Sequence, residues 1–308
     1  MKRQLIELLQ KKPGEFISGE ELSQNLGISR VSIWKHIKKL QELSYQIESG
    51  PTGYKLISSP DSLYPWEFGD KEELIHYFEE VDSTMSEAKR LARKDCPPYT
   101  VVIAERQSKG RGRLQRTWFS DDGGLFFTLV LRPKIPAMMM SRYSFAASLC
   151  LAVIIQRELG IEARVKWPND ILVDDKKICG MLAEMEMESD MVSFLNIGIG
   201  LNVNNNPTIN EPNATSLSIL AGKKLSRKKI LASFLDEMKL LLSQPDLNQI
   251  IPQWKQHTIT LNRTVKVMTT SEEWEGVAVD IDENGALILK QSDDSLQKVY
   301  FGDCFHQA

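Results

Sequence analysis

The most unusual part of this 308-residue sequence is a basic loop at 106–116, Arg-Gln-Ser-Lys-Gly-Arg-Gly-Arg-Leu-Gln-Arg. The loop contains five basic residues, two glycines and no acidic residue. Glycine lets backbone N–H groups approach a phosphate closely, and arginine donates forked hydrogen bonds to phosphate or carboxylate. The loop lacks both the Gly-Lys-Ser/Thr of a Walker loop and the Gly-x-Gly-x-x-Gly of a Rossmann fold. We therefore predict an anion-binding loop, with a solvated basic loop or an RNA-binding patch as alternatives.

Two further motifs place charged side chains just before strand-like runs. In Lys166-Trp-Pro-Asn-Asp170, the carboxylate of Asp170 has the chemistry to coordinate magnesium, accept a proton or cap a turn. In Asp174-Asp-Lys-Lys-Ile-Cys-Gly180, Lys177 opens an apolar strand and can direct its charge into a site. Ordinary turns, made by Pro-Asn-Asp in the first motif and by the Asp-Asp pair in the second, are the alternative interpretation.

Two weaker motifs complete the set. Gly198-Ile-Gly-Leu-Asn-Val-Asn204 places glycines inside a strand pattern, which indicates a bulge or a close approach to the backbone. Asp82-Ser-Thr-Met-Ser-Glu87 opens a helix, and a capping box between Thr84 and Glu87 is its structural interpretation. The histidines lie outside all of these motifs: His36, His76, His257 and His306. The sequence therefore indicates neither a Ser-His-Asp triad nor a histidine metal site, and we expect no resident metal ion.

The N-terminal residues have the pattern of a helix-turn-helix. Two short helices flank a turn at Gly27, and Ser18 and Ser29 are typical N-cap residues for them. One face of the second helix has core spacing, through Ile33, Ile37 and Leu40. The opposite, basic face and the helix start supply the candidate DNA-binding residues: Ser29, Arg30, Val31, Ser32, Lys35 and Lys38. Two extended runs over 45–57 then predict a hairpin wing, whereas a small helical bundle is the alternative.

Charge and composition divide the chain. Residues 1–60 carry nine Lys/Arg against six Asp/Glu, whereas the remainder carries 29 against 35. The N-terminal part is therefore net basic, and the acidic remainder argues against a protein that coats nucleic acid. A segment rich in turn-forming residues follows at 58–65, and its composition predicts a linker between domains.

Strand-like and helix-like stretches alternate in the middle of the chain, which predicts a mixed α/β domain. The predicted strands are 100–105, 125–131, 171–173, 178–184 and 194–203, and the predicted helices are 141–159 and 226–242. After residue 261 only short strands follow, at 265–268, 276–281, 286–290 and 297–301, and they predict a small β-barrel. We thus predict an α+β multidomain protein, with boundaries at 1–60, 61–262 and 263–308.

The cysteines and apolar segments indicate a soluble protein of the cytoplasm. Cys96, Cys150, Cys179 and Cys304 are widely spaced and form no Cys-x-x-Cys pair. The N-terminus has an acidic residue where a signal peptide needs an apolar run. The most apolar segment, 145–155, is too short to span a bilayer, so we expect no membrane partner.

Taken in order, these motifs resemble one family across essentially the whole chain: the bifunctional biotin–protein ligases that also repress the biotin operon. The resemblance rests on the Gly-Arg-Gly-Arg loop followed by Trp118, then Lys-Trp-Pro-Asn-Asp, then Lys-x-x-Gly before a strand ending at Glu184, then Gly-x-Gly-x-Asn. It implies a winged helix-turn-helix, a central catalytic domain like those of biotin and lipoate ligases, and a C-terminal SH3-like barrel. The chain departs from the family pattern at Met85, Leu114, Gln115 and Cys304.

The resemblance also implies an active site that binds biotin and ATP. It assigns biotin contacts to Ser83, Thr84, Gln107, Arg111, Gly112, Arg113 and Lys177. It assigns contacts with ATP or the adenylate to Arg111, Arg113, Lys166, Asn169 and Asn202. The catalytic residues implied are Lys177, Asp170 and Arg113.

The implied reaction joins the carboxylate of biotin to the α-phosphate of ATP, with magnesium, and releases pyrophosphate. A lysine of a biotin carboxyl carrier protein then takes biotin from the adenylate. The implied partners are this carrier, operator DNA and a second copy of the chain when the adenylate is bound. A lipoate or octanoate ligase, a non-catalytic transcription factor that senses a small molecule, and an RNA-binding protein are the alternatives.

Overall fold

The computed structural model describes residues 1–244, 246–269 and 271–307, apart from the side chain of Gln115. Contacts divide the chain into two compact units, Met1–Glu73 and Leu74–Ala308. The three predicted domains divide the chain more finely than these two units, and they stay a prediction.

The first unit contains three helices and a hairpin. Its elements are α1 Lys2–Lys11, α2 Gly19–Leu26, α3 Arg30–Glu42, β1 Gln46–Gly50 and β2 Gly53–Ser58. The predicted N-caps are confirmed, because the Oγ atom of Ser18 accepts a hydrogen bond from the backbone of Glu21 and that of Ser29 from the backbone of Ser32. The predicted core face of α3 is also confirmed, since Ile33 and its helical neighbours on that side are fully buried. A helix-turn-helix followed by an antiparallel wing results.

A seven-stranded sheet organises the second unit, with spatial order β3-β4-β5-β9-β8-β7-β6. Its strands are β3 Ile75–Val81, β4 Thr100–Gln107, β5 Leu125–Leu131, β6 Arg164–Lys166, β7 Asp170–Val173, β8 Lys176–Glu188 and β9 Met191–Leu201. Its helices are α4 Thr84–Ala92, α5 Met140–Leu159, α6 Leu217–Ala221, α7 Arg227–Leu242 and α8 Ile250–His257. Only the β3–β4 pair is parallel among these ladders of the described chain, so the sheet is mixed.

The sequence patterns missed several elements of this unit, and for two of them, β3 and α8, the reason is identifiable. β3 is an edge strand whose last residues include Glu79 and Glu80, both exposed, so the strand lacks a continuous apolar run. α8 contains Pro252 in its first turn, where proline costs no helical hydrogen bond. From sequence alone the helix start is unknown, so the proline predicts the end of a helix at this point and α8 is missed.

Helix α5 corrects one expectation about the apolar segment. The segment belongs to Ala137–Leu159, which is 23 residues long and by length and composition alone could cross a membrane. Most of this stretch is buried inside the unit, where Ser148 accepts a hydrogen bond from the indole of Trp254 at 2.9 Å. Its apolar composition therefore matches a core helix, most of which is buried by the rest of the unit.

The C-terminal strands form a five-stranded antiparallel sheet with order β13-β12-β11-β10-β14. The strands are β10 Thr264–Met268, β11 Glu273–Ile281, β12 Leu287–Lys290, β13 Leu296–Val299 and β14 Asp303–His306. The last predicted strand, 297–301, ends earlier than expected, at Val299, and β14 was not predicted. β13 and β14 stand at the two ends of this sheet, so the described pairings give an open sheet with no closed barrel.

Candidate active site

One cavity of about 230 Å³ in the second unit brings together the eleven residues predicted for ligand binding and catalysis. They are Ser83, Thr84, Gln107, Arg111, Gly112, Arg113, Lys166, Asn169, Asp170, Lys177 and Asn202. The start of α4, the basic loop after β4 and the ends of β6 to β9 supply them. The roles assigned to the individual residues remain predictions.

A chain of hydrogen bonds fixes the start of α4. The amide oxygen of Gln107 accepts from the backbone N–H of Thr84 at 2.8 Å and from its hydroxyl at 3.1 Å. The amide nitrogen of Gln107 donates to the Oγ atom of Ser120 at 2.8 Å. Because both ends of the amide are committed, Gln107 presents one defined orientation to the cavity.

The expected capping box at this helix is wrong. α4 begins at Thr84, so Ser83 is the N-cap, and its side chain makes no capping hydrogen bond. Glu87 instead pairs with Arg90 one turn further along the helix. The Oγ atom of Ser83 is buried without a hydrogen-bond partner in the described part of the chain. This hydroxyl can therefore both donate a hydrogen bond to a ligand and accept one from it.

The basic loop closes on itself as an irregular hairpin. The backbone N–H of Gly112 donates to the carbonyl of Arg116 at 2.7 Å, and that of Trp118 to the carbonyl of Gly110 at 2.9 Å. Its arginines also have partners: Arg111 lies 3.2 Å from the carboxylate of Glu184 on β8. The loop is therefore held against the cavity, and the interpretation as a freely solvated loop is wrong.

Arg113 and Arg116 extend these attachments. The guanidinium of Arg113 donates to the side-chain oxygen of Asn169 at 3.2 Å, and Arg116 pairs with Asp303 of the C-terminal sheet. Burial lowers the pKa of Arg113, against the opposing effect of Asp303 and Asp170. A desolvated guanidinium binds an anion strongly, because the phosphate competes with little water.

The strand glycines make room for two large side chains. A Cβ atom on Gly200 would lie 2.4 Å from the indole of Trp118, and one on Gly180 would lie 2.8 Å from the same ring. A Cβ atom on Gly198 would lie 2.6 Å from the sulfur of Met85. The glycine motif thus reflects close approach and no bulge at these positions, and Trp118 and Met85 form apolar walls of the cavity.

The two polar motifs meet across neighbouring strands. The Nζ atom of Lys177 lies 2.8 Å from the carboxylate of Asp170 and 5.4 Å from the centre of the Trp118 ring. The amide nitrogen of Asn169 donates to the backbone carbonyl of Met181. Both motifs do form turns, and the same turns direct the charged side chains into the cavity.

Asn202 and Lys166 line the remaining wall. The amide oxygen of Asn202 accepts from the side chain of Asn205 at 2.9 Å, which sets the orientation of the Asn202 amide. Lys166 ends β6 and is half-buried.

Sequence reasoning missed the contribution of the C-terminal sheet. Asp303, Cys304 and Phe305 of β14 line the same cavity. The departure from the family pattern at Cys304 is the one sequence signal that points to this segment. Burial raises the pKa of the Cys304 thiol to about 12, so Cys304 is an unreactive wall residue at neutral pH.

The candidate DNA-binding residues belong to the first unit, whereas the residues that line this cavity belong to the second. Arg30, Val31, Lys35 and Lys38 are exposed along one side of α3, and Ser29 caps it. Ser32 donates its backbone N–H to the cap. The helix thus presents a basic, solvent-facing surface, as its periodicity predicts.

Within the described ranges no cluster of three His, Cys, Asp or Glu side chains has a geometry that could hold a metal ion. Magnesium bound to ATP needs no such cage, because it takes most of its ligands from phosphate oxygens and water. Asp170 is the carboxylate beside Lys177 in the cavity, and its oxygen chemistry fits such an ion.

Three family models match separate parts of the chain. Residues 2–55 match a helix-turn-helix family, residues 77–204 the biotin/lipoate A/B protein ligase family, and residues 260–307 the biotin protein ligase C-terminal domain. The bifunctional ligase/repressor BirA of Bacillus subtilis is 35% identical over 98% of both chains. That of Escherichia coli K12 is 29% identical, over 94% of this chain and 92% of its own.

A solved structure is similar to a large part of the chain. The biotin protein ligase from Aquifex aeolicus, in complex with biotin and ATP, has a TM-score of 0.64 and 26% sequence identity. The match covers 76% of this chain and 98% of the Aquifex chain.

Proposed function

The chain belongs to the family of bifunctional biotin ligase/repressors, and we propose that it activates biotin with ATP, biotinylates a carrier protein and represses transcription. One observation carries the proposal: a single cavity gathers all eleven predicted ligase residues, while a separate unit carries a helix-turn-helix with an exposed basic face. Sequence identity over almost the full length of both chains supports the two activities together.

In the first half-reaction, a carboxylate oxygen of biotin attacks the α-phosphorus of ATP, and pyrophosphate leaves. Two anions must approach each other, so their charges need compensation. Lys177 and Arg113 both line the cavity and supply this compensation. Fixed cations in a site shielded from water stabilise the transition state more than mobile ions do, because they need no reorganisation during the reaction.

Biotin itself needs an apolar slot with a few fixed polar groups. Trp118 and Met85 form apolar walls, and Gln107 and Thr84 offer oriented polar atoms at one end. The unpartnered Ser83 hydroxyl lies at the same end. We infer that this end binds the ureido ring and that the end near Lys177 receives the carboxylate.

In the second half-reaction, the amine of a carrier lysine attacks the carbonyl of the mixed anhydride, and AMP leaves. The attacking amine must lose one proton as the amide forms. The Asp170 carboxylate can accept it, because it lies at the wall where Lys177 meets the activated group. Lys177 then compensates the charge on the departing phosphate.

The decisive test of the ligase is incubation of the full chain with ATP, labelled biotin and a biotin carboxyl carrier domain. We expect label on the carrier, and pyrophosphate release that depends on biotin. Transfer of lipoate or octanoate in place of biotin would support the lipoate ligase alternative. Absence of any transfer, with ligand-dependent DNA binding retained, would support a non-catalytic sensor.

The repressor activity is tested on the first unit. Lys35→Ala combined with Lys38→Ala removes two exposed charges of α3, and both lie outside the ligase cavity. We expect this variant to lose operator binding in gel shifts across a biotin and ATP titration, with ligation unchanged. DNA binding that ignores both ligands would contradict a biotin response and leave the ligase assignment intact.

We further propose a dimer that forms when the adenylate is bound, because paired recognition helices read paired half-sites. We place the protein in the cytoplasm without a membrane partner, since its four cysteines are free and biotin carriers with ATP occur there. We retain functional boundaries at 1–60, 61–262 and 263–308. We also propose that the five-stranded sheet curls towards an SH3-like barrel, because the irregularity in β11 between Ala278 and Asp280 bends that strand.

A further inference from the structure

Two large apolar side chains stand exposed on the recognition helix. Val31 is 63% exposed and Trp34 is 50% exposed, one helical turn apart on α3. Three residues of separation place them side by side on one face. Exposure of two neighbouring apolar side chains to water is unfavourable. Such a pair on a surface therefore indicates a site where a partner binds.

The wing forms the second wall of a recess beside these side chains. Arg30, Val31, Trp34 and Lys38 face the hairpin segment 49–54 across it. The hairpin is held in place by two backbone hydrogen bonds of 2.9 Å between Ile17 and Tyr54. These bonds attach the hairpin wall of the recess to the segment that precedes α2.

The charged residues around the recess indicate which kind of partner it binds. Arg30 and Lys38 line it and Lys35 is exposed on the same helix, whereas Glu20 is the acidic residue among its lining residues. This balance favours an anionic partner, and the exposed Val31 and Trp34 favour one that also presents apolar groups beside its charges. In the DNA major groove, the 5-methyl group of thymine is the exposed apolar group, and phosphates flank the groove.

We propose that Val31 and Trp34 contact thymine methyl groups, so that the operator is recognised through thymines at defined positions. The inference rests on the proposed repressor function and adds the determinant of sequence specificity. Lys35 and Lys38 then contribute phosphate attraction that is indifferent to sequence, and the apolar pair supplies discrimination.

The test replaces thymine by deoxyuridine, which removes only the 5-methyl group. The probe is a duplex selected from a randomised pool by the full-length protein with biotin and ATP present. Each thymine is then exchanged singly, and the dissociation constant is measured at fixed salt. Burial of one methyl group is worth about fourfold in affinity, so we expect about fourfold weaker binding at each contacted position.

Two variants test whether Val31 and Trp34 cause the sensitivity to deoxyuridine. We expect Trp34→Ala to bind the thymine duplex more weakly and to lose the sensitivity to deoxyuridine at its position, and Val31→Ala to do so at a neighbouring position. Lys35→Ala is the matched control from the same helix. It should weaken binding to both duplexes equally and lower the salt dependence by about one phosphate contact.

The possible results distinguish failure of thymine recognition from failure of the repressor function. Equal binding of the thymine and deoxyuridine duplexes by the unmodified protein would overturn the inference while the repressor function stands. Undiminished sensitivity to deoxyuridine in both Trp34→Ala and Val31→Ala would overturn it as well. Failure to select any duplex, despite ligase activity, would refute the repressor function itself.

Discussion

Lys177 and Asp170 form an ion pair of 2.8 Å between neighbouring strands of the seven-stranded sheet. The indole of Trp118 lies beside the ammonium group, 5.4 Å from it to the ring centre. The pair thus places the cation proposed to meet the phosphate next to the carboxylate proposed to accept the proton. Because the two groups stabilise each other, changing either one alters the charge that faces both half-reactions.

The ion pair yields the first prediction. Lys177→Ala removes the cation at the anionic junction, and one such group is typically worth about 3 kcal/mol in the transition state. We expect pyrophosphate exchange dependent on biotin to fall by two orders of magnitude or more. Lys176→Ala is the matched control, since Lys176 is the exposed neighbour. Near-normal exchange in Lys177→Ala would refute the assigned role.

The second prediction concerns the glycine beneath Trp118. Gly200→Ala places a methyl group 2.4 Å from the indole, so the ring must move out of the cavity wall. We expect biotin affinity, measured by calorimetry, to fall at least tenfold. Gly19→Ala, whose added carbon would meet its nearest neighbour at 3.6 Å, serves as the control for an added methyl group. Unchanged biotin affinity in Gly200→Ala would show that Trp118 is no part of the biotin site.

The third prediction separates ligand retention from folding at the basic loop. Arg113→Ala removes a half-buried guanidinium that touches Asn169 and faces the cavity. We expect faster release of biotinyl-adenylate with little change in the thermal midpoint, because a surface loop contributes little burial energy. Arg157→Ala, on the surface of α5 and paired with Glu237, controls for loss of an arginine. A collapsed midpoint with an unchanged release rate would mean that the loop is structural.

The fourth prediction is a pH dependence of stability in the C-terminal sheet. Burial, with the nearby charges of Lys166 and Arg263, lowers the pKa of His306 to about 4. Arg263 donates to its Nδ1 atom at 3.2 Å, so the folded state holds the neutral ring. The unfolded chain binds a proton near pH 6.5, so stability contributed by His306 is complete above that pH and declines as pH falls towards 4.

The measurement is the midpoint of urea unfolding across this pH range. We expect His306→Gln to flatten the acid side of the profile between pH 6.5 and 4. His257→Gln, at a partly exposed position at the end of α8, should leave the profile as it is. A profile of His306→Gln that superimposes on that of the unmodified protein would contradict the prediction.

Local patterns in the sequence predicted the helix caps, the buried faces of helices and the residues that line the cavity. The capping serines, the core spacing of α3 and the basic opposite face depend on residues within one or two helical turns, so periodicity alone predicts them. The motifs also identified the residues that share the cavity, because each carries a distinctive combination of residue types.

Only the tertiary structure decided how these residues meet. Trp118 packs on Gly180 and Gly200, and Asp303 reaches the loop from the far end of the sequence. The orientation of the Gln107 amide depends on Thr84 and Ser120. Periodicity reports which side of an element is buried but carries no information about which distant segment covers it, and these contacts join separate elements of the chain.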